Sequence, residues 1–322
     1  MKKINQYVVV IMVIIASTRV FASIPSDEQC HDINIQTLGA GGPEIDDGLA
    51  SSSFLVWING KARIMVDAGG GSTLNFEKSM ANFNDLQAIL LTHLHVDHSA
   101  AIPVYIKAGF FTGRKTHLAI FGPNAGAGFP STTAFISALF DDKQNSAYPY
   151  LSDNIREQAS TDYLVIPHNV SPENAVWQQA LSKDLSIAAI NVVHGPVPAL
   201  AWKVIFKQCS VTFSGDMNGS SGHLVLLAKD TQLLVANNAI GQEAGRVAKN
   251  LHMTPKIIGE ISQQANVHKL VLAHFMLRSV SKTDESRDII KKSYSGEVEL
   301  AKELEVIKLS SGDSGVEESM TD

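Results

Sequence analysis

The sequence predicts an α/β protein, and three observations support that fold class. Short apolar segments of strand length alternate with segments of helical spacing along most of the chain. The 322 residues are 45% hydrophobic and 18% charged, which is typical of a folded protein. Metal-binding residue types follow directly after several predicted strands. We therefore predict one α/β domain whose functional site lies at strand ends.

The predicted elements form two halves of similar style, without a tandem repeat or a low-complexity linker. Strands of the first half are predicted at residues 33–38, 53–58, 63–67, 86–92 and 117–121, with a helix at 101–107. Strands of the second half are predicted at 185–193, 201–206, 211–214, 233–236 and 270–273, with a helix at 254–265. Residues 298–309 fit a helix or a strand equally well.

The first 22 residues have the pattern of a signal peptide. Lys2 and Lys3 precede an apolar run at 7–16 that is too short to span a bilayer, and we place cleavage after Ala22. An uncleaved anchor is the alternative, although Arg19 ends the apolar run early. We expect a periplasmic or secreted protein with no stable membrane anchor. Its domain would span 23–309 and be followed by a flexible acidic tail at 310–322.

The two cysteines, Cys30 and Cys209, allow two arrangements. They could form a disulfide bond in an oxidising compartment. Two free, buried thiols are equally compatible with the sequence.

The charge of the chain bears on its partners. The formal net charge is −6 and no long basic block is present. Because nucleic-acid binding depends on Lys and Arg contacts with phosphate, we expect no nucleic-acid partner.

A run of four metal-binding side chains follows the predicted strand at 86–92. Imidazole and carboxylate groups together suit zinc and related divalent ions, and the run contains His93, His95, Asp97 and His98. His93 and His95 face the same way in an extended turn and can reach one ion. Asp97 and His98 fall where the chain bends into the next helix, so they can reach a second ion. A surface histidine cluster without metal is the alternative.

Four more polar residues each end a predicted strand: Asp67, His194, Asp216 and His274. Any one of them alone is more typical of a turn than of a metal site. Together, and in this order, they indicate the remaining ligands of a site for two metal ions.

The ordered series from Asp67 to His274 resembles the five signature motifs of the metallo-β-lactamase superfamily. The resemblance implies a four-layer αββα sandwich with two divalent ions at one edge between the sheets. Zinc is the first expectation, with manganese or iron as alternatives. The implied ligands are His93, His95 and His194 for one ion, Asp97, His98 and His274 for the other, and Asp216 as the bridge. Asp67 is expected to orient a ligand from outside.

Further motifs place the chain within that superfamily. True β-lactamases generally lack a bridging aspartate where this chain has Asp216. Residues 251–254 and 272–278 resemble the ribonuclease Z branch, in which the position of His252 is a candidate proton donor to the leaving group. A local hydrogen bond at a helix end is the alternative for His252. Residues 38–43, 50–53, 66–71, 92–100, 121–123 and 129–133 resemble exported arylsulfatases of the metallo type.

These resemblances lead to an expected function. We expect an exported hydrolase that attacks a small anionic ester with a hydroxide bridging the metals, with Asp97, His252 and Asp67 as catalytic residues. An aryl sulfate is the first candidate substrate, and a phosphodiester or a lactone is the alternative. A non-catalytic metal-binding protein is disfavoured because every ligand position carries a ligand. A homodimer is common among such proteins.

The segment 122–154 is rich in Gly, Pro and Ser and contains several aromatic residues, among them Phe129. It fits a surface loop followed by a packed helix. It also fits a cap that faces the substrate, since long loops beside active sites are commonly functional.

Overall fold

The computed structural model describes residues 30–157 and 161–309, and two seven-stranded sheets form their centre. The predicted signal peptide at 1–22 and the predicted tail at 310–322 lie outside the described residues. Within the described ranges, no helix is both long enough and apolar enough to cross a membrane.

The first sheet combines antiparallel hairpins with a parallel half. Its strands, in chain order, are β1 (Ile33–Gly39), β2 (Ser53–Ile58), β3 (Lys61–Val66), β4 (Ala88–Leu90), β5 (Leu118–Pro123) and β6 (Val165–Val170). The pairs β1–β2 and β2–β3 are antiparallel, whereas β3 to β6 run parallel. The last strand of the described residues, at Val306–Lys308, pairs with β1 at the sheet's other edge.

The second sheet has the same plan. Its strands are β7 (Trp177–Ala180), β8 (Leu185–His194), β9 (Val197–Phe206), β10 (Cys209–Phe213), β11 (Leu233–Asn237), β12 (Lys269–Ala273) and β13 (Glu297–Leu300). The strand at Val306–Lys308, which belongs to the first sheet, is β14. The strands from β7 to β10 pair antiparallel, whereas β10 to β13 run parallel.

The helices cover the outer faces of the sheets. They are α1 (Ser72–Lys78), α2 (Val96–Ser99), α3 (Ile102–Phe111), α4 (Thr132–Phe140), α5 (His223–Leu227), α6 (Arg246–Leu251), α7 (Pro255–Gln264), α8 (Leu277–Val280) and α9 (Thr283–Ile290). Alternation along β2 explains the layers, because Phe54 and Val56 join the core between the sheets while Leu55 joins the core beneath α1 and α3. The two sheets meet directly where the rings of Phe54 and Phe213 lie 5.6 Å apart. The predicted αββα sandwich is therefore confirmed.

The strands that sequence analysis missed or left open lie at sheet edges. The edge strands β6 and β7 contain mostly polar or partly exposed residues, so they lack the apolar runs by which buried strands are recognised. The ambiguous segment 298–309 contains parts of two strands in different sheets. The chain crosses from β13 in the second sheet to β14 in the first, and the mixed pattern follows from that crossing.

A disulfide bond joins Cys30 to Cys209, with Cα atoms 5.7 Å apart. Cys30 precedes β1 and Cys209 begins β10, so the bond links the first sheet to the second. The tertiary structure thus selects one of the two arrangements that the sequence allowed.

Candidate metal centre

The candidate site forms where polar residues follow the carboxyl ends of strands. His194 is the last residue of β8, and Asp67, Asp216 and His274 follow β3, β10 and β12 closely. The run from His93 to His98 begins just after β4 and continues into α2. In α/β folds the carboxyl ends of parallel strands share one edge of a sheet, so side chains distant in sequence meet there.

The structure gathers all seven predicted ligands into two adjoining groups. Within each group the possible ligand atoms lie no more than 4.8 Å apart. The groups are His93, His95, His194 and Asp216, and Asp97, His98 and His274. Every member except His95 is buried.

Asp216 lies between the two groups. Its Oδ2 is 3.6 Å from His194 Nε2 and 3.9 Å from His93 Nε2, both in the first group. The same oxygen is 3.8 Å from His98 Nε2, and Oδ1 is 3.4 Å from His274 Nε2, both in the second group. One carboxylate is therefore placed to contact both groups, as the bridging role requires.

The residues fit a divalent metal in their chemistry and in their burial. Imidazole nitrogen and carboxylate oxygen are the donors that zinc and its neighbours accept. His93 Nε2 is buried, and the described residues offer it no hydrogen-bond partner. Buried polar atoms are normally paired, so an unpaired nitrogen inside a donor group fits a role as a metal ligand.

Residues outside the two groups hold the ligands in orientation. Asp67 Oδ2 accepts a hydrogen bond of 2.7 Å from His98 Nδ1, and Asp67 Oδ1 accepts one of 2.7 Å from the backbone of Thr92. His194 Nδ1 lies 2.8 Å from the carbonyl oxygen of Leu251. These contacts leave Nε2 of both histidines to face the site, which is how ligating histidines are usually fixed. Asp67 thus contacts a candidate ligand from outside both groups, the position that we expected for it.

The buried charges of the site shift one another's pKa values. Burial would raise the pKa of Asp216, but His274, His98, His252 and His93 hold it well below the usual range. Burial opposes the charged form of His98, but the adjacent Asp67 carboxylate raises the pKa of His98 to about 10. The Asp216 carboxylate is therefore ionised at neutral pH, the state in which carboxylates ligate metals.

His252 borders both groups without belonging to either. It follows α6, and its Nδ1 lies 3.8 Å from Asp216 Oδ1 with no hydrogen-bond partner among the described atoms. Its ring centroid is 5.3 Å from that of His194 and 6.0 Å from that of His274. Burial lowers the pKa of His252 to about 4, despite the attraction of Asp216. A proton-donating role therefore requires a negative charge beyond Asp216, which an anionic substrate would supply.

Sequence analysis missed one residue of this region, Asn237. Its Nδ2 donates a 2.8 Å hydrogen bond to Asp216 Oδ1, and its backbone N–H donates to Ser214 Oγ. Asn237 thus fixes the rotation of the carboxylate between the two groups. It is the last residue of β11, so the rule that identified the other strand-end residues would have identified it as well.

The fold and the donor groups define a class of protein, the metal-dependent hydrolases built on two facing sheets. A model of the metallo-beta-lactamase superfamily matches residues 46–255, well over half of the chain. The chain belongs to that superfamily, and the predictions of a metal-dependent hydrolase and of its divalent-metal requirement are confirmed.

Similar proteins agree with this assignment. The chain is 26% identical to ribonuclease Z of Mycolicibacterium paratuberculosis, over 86% of this chain and 98% of the relative. It is 22% identical to ribonuclease Z of Clostridium tetani, over 76% and 88%. Among solved structures, human tRNase Z, short form, matches with a TM-score of 0.65 and 20% identity, over 86% of this chain and 99% of that one. The predicted resemblance to the ribonuclease Z branch is confirmed.

The expectation of no nucleic-acid partner is wrong, because the relatives just described are ribonucleases by name. That expectation relied on the formal net charge of −6 for the whole chain. Net charge does not describe the potential at one site. Divalent ions held by the two donor groups would add local positive charge that residue counts omit.

Proposed function

We propose that this protein is a phosphodiesterase that uses two divalent metal ions. The observation that carries the proposal is the position of Asp216 between two buried donor groups. Paired metal sites of this kind suit in-line displacement at phosphorus, because both the attacking and the leaving oxygen can be stabilised. The similarity to ribonuclease Z over most of the chain favours a phosphodiester over the aryl sulfate that the sequence suggested first.

The residues divide into ligands, orienting groups and a proton donor. The ions, when bound, would lower the pKa of water and offset the charge that builds up on the attacked group. Asp97 Oδ2 lies 3.3 Å from His274 Nε2, so this carboxylate would orient the attacking water while it ligates. His252, on the other flank of Asp216, would give a proton to the leaving oxygen once the substrate's charge has raised its pKa. Asp67 would keep His98 in its ligating orientation.

Substrate choice can be tested with chromogenic esters in parallel. Purified protein would be assayed on bis(4-nitrophenyl) phosphate, 4-nitrophenyl sulfate and a lactone, with zinc or manganese added. We expect turnover of the phosphodiester to exceed that of the sulfate by orders of magnitude. The variant His194→Ala should abolish it, whereas His223→Ala, a partly exposed histidine outside both groups, should not. Faster turnover of the sulfate would refute the proposal.

Metal content gives an independent test. We propose zinc at both positions, because five of the seven candidate ligands supply nitrogen, which zinc accepts readily: His93, His95, His98, His194 and His274. Elemental analysis of the purified protein should give two equivalents of zinc per chain. A protein without stoichiometric metal, and unchanged by chelator, would indicate a non-catalytic role instead.

We also propose that the enzyme is exported. The signal-peptide pattern before Ala22 supports this, and so does the pairing of Cys30 with Cys209, since disulfide bonds persist mainly in oxidising compartments. Cell fractionation followed by mass spectrometry should find a mature chain that begins at Ser23 outside the cytoplasm. An intact, cytoplasmic chain with free thiols would contradict the proposal.

A further inference from the structure

The candidate ligands differ in their exposure. His95 is the one candidate ligand that is not buried, and the next residue, Val96, has 68% of its surface exposed. The other six candidate ligands are buried. His95 is therefore the candidate ligand most accessible to a substrate.

Phe129 lies beside this accessible candidate ligand. Its ring centroid is 5.7 Å from that of His95, and the two ring planes are inclined by 59°. Phe129 is partly exposed, and its neighbours Gly128 and Pro130 are exposed. An aromatic surface is thus accessible directly beside a ligand of the first group.

The backbone holds Phe129 in place through a tight turn. Gly126 and Phe129 exchange two backbone hydrogen bonds of 3.2 and 2.8 Å. Between them, Ala127 and Gly128 have φ values of 48° and 85°, the left-handed conformations of a two-residue hairpin turn. Alanine rarely adopts that conformation, so its presence indicates a turn fixed by its surroundings.

The same turn packs against the β8–β9 hairpin, which contains the candidate ligand His194. A Cβ on Gly126 would lie 3.0 Å from Pro198 Cγ, so the turn packs against β9. Pro198 pairs with Val193, the residue before His194. Contacts with His95 and with the hairpin that contains His194 therefore fix the position of Phe129.

We propose that Phe129 is the platform on which an aromatic group of the substrate stacks while the attached phosphate lies at the metals. This inference rests on the proposed phosphoester chemistry of the site and adds a preference for substrates that carry a nucleobase or another planar ring. Stacking of a base on an aromatic side chain changes affinity by about 5- to 150-fold. If Phe129 served only to pack against His95, its loss would weaken all phosphate ligands equally.

The test compares ligands that differ only in the ring. Binding of adenosine 5′-monophosphate and of ribose 5-phosphate to the metal-loaded, full-length protein would be measured by calorimetry. Phenyl phosphate and methyl phosphate would form a second pair, to separate a nucleobase preference from a general aryl preference. The variants are Phe129→Leu, Phe129→Tyr and, as a matched control, Phe110→Leu, which removes a 71%-exposed ring that packs on Phe111.

We expect the wild-type protein to bind the ring-bearing member of at least one pair about fivefold or more tightly than its partner. Phe129→Leu should bring that ratio close to one, whereas Phe129→Tyr and Phe110→Leu should preserve it. A ratio near one in the wild type, or an unchanged ratio in Phe129→Leu, would overturn the proposal. Because binding is measured without turnover, failure of this proposal can be distinguished from failure of the phosphodiesterase proposal.

Discussion

Removal of the bond between Cys30 and Cys209 should destabilise the protein strongly without changing its chemistry. The two cysteines are separated by 179 residues, so the bond closes a very long loop in the unfolded chain. In the chain-entropy treatment, closing a loop of this length contributes about 5 kcal/mol to the free energy of unfolding. Globular proteins unfold with about 2.1 cal/mol/K of entropy per residue, so for roughly 280 described residues the loss corresponds to a fall in Tm of about 9 °C.

The assay compares three forms by calorimetry or thermal circular dichroism. These are the oxidised wild type, the wild type reduced in denaturant and refolded with reductant, and the double variant Cys30→Ala, Cys209→Ala. Both cysteines are buried, so the reduced wild type retains their packing and loses only the crosslink, whereas the double variant loses both. Below the transition, kcat should be unchanged in the reduced form, because Cys209 begins β10 whereas Asp216 follows its other end.

The fall in Tm of the reduced form tests the stabilisation calculated for the disulfide bond. If mass spectrometry finds the bond in the starting protein and the Tm of the reduced form falls by less than about 2 °C, the loop-entropy argument does not apply to this chain. If the native protein has two free thiols, the pairing itself is wrong.

The other predictions concern the candidate site. Treatment with EDTA should abolish hydrolysis, and added zinc or manganese should restore it; activity that survives complete chelation would exclude the metal mechanism. Asp67→Asn removes the charge that holds His98 Nδ1 at 2.7 Å, so metal affinity, measured by chelator competition, should fall about 10- to 100-fold. Unchanged affinity would mean that His98 is oriented by other contacts. His252→Ala should reduce kcat more for substrates with poor leaving groups than for nitrophenyl esters, and equal losses across a leaving-group series would count against proton donation.

Much of the candidate site could be predicted from the sequence, because its residues lie at positions that short stretches of sequence mark. Buried strands are short apolar runs, and each residue that ends such a run is visible without any knowledge of tertiary contacts. His194, Asp216 and His274 were identified in this way, and the structure brings them to the run that begins at His93. Asn237 ends a strand in the same manner, yet asparagine is common in turns, and only its 2.8 Å contact with Asp216 distinguishes it.

Short-range periodicity in the sequence by itself determined the α/β class and the set of strand-end donors, and the resemblance of those motifs to a known superfamily implied the αββα arrangement. The tertiary structure decided which distant groups meet. It paired Cys30 with Cys209 across the two sheets and seated Phe129 beside His95. It also divided the last described segment between two sheets. Such contacts depend on how separate elements pack against one another. Residues far apart in the chain meet only after both sheets have formed, and no local sequence pattern encodes the distance between them.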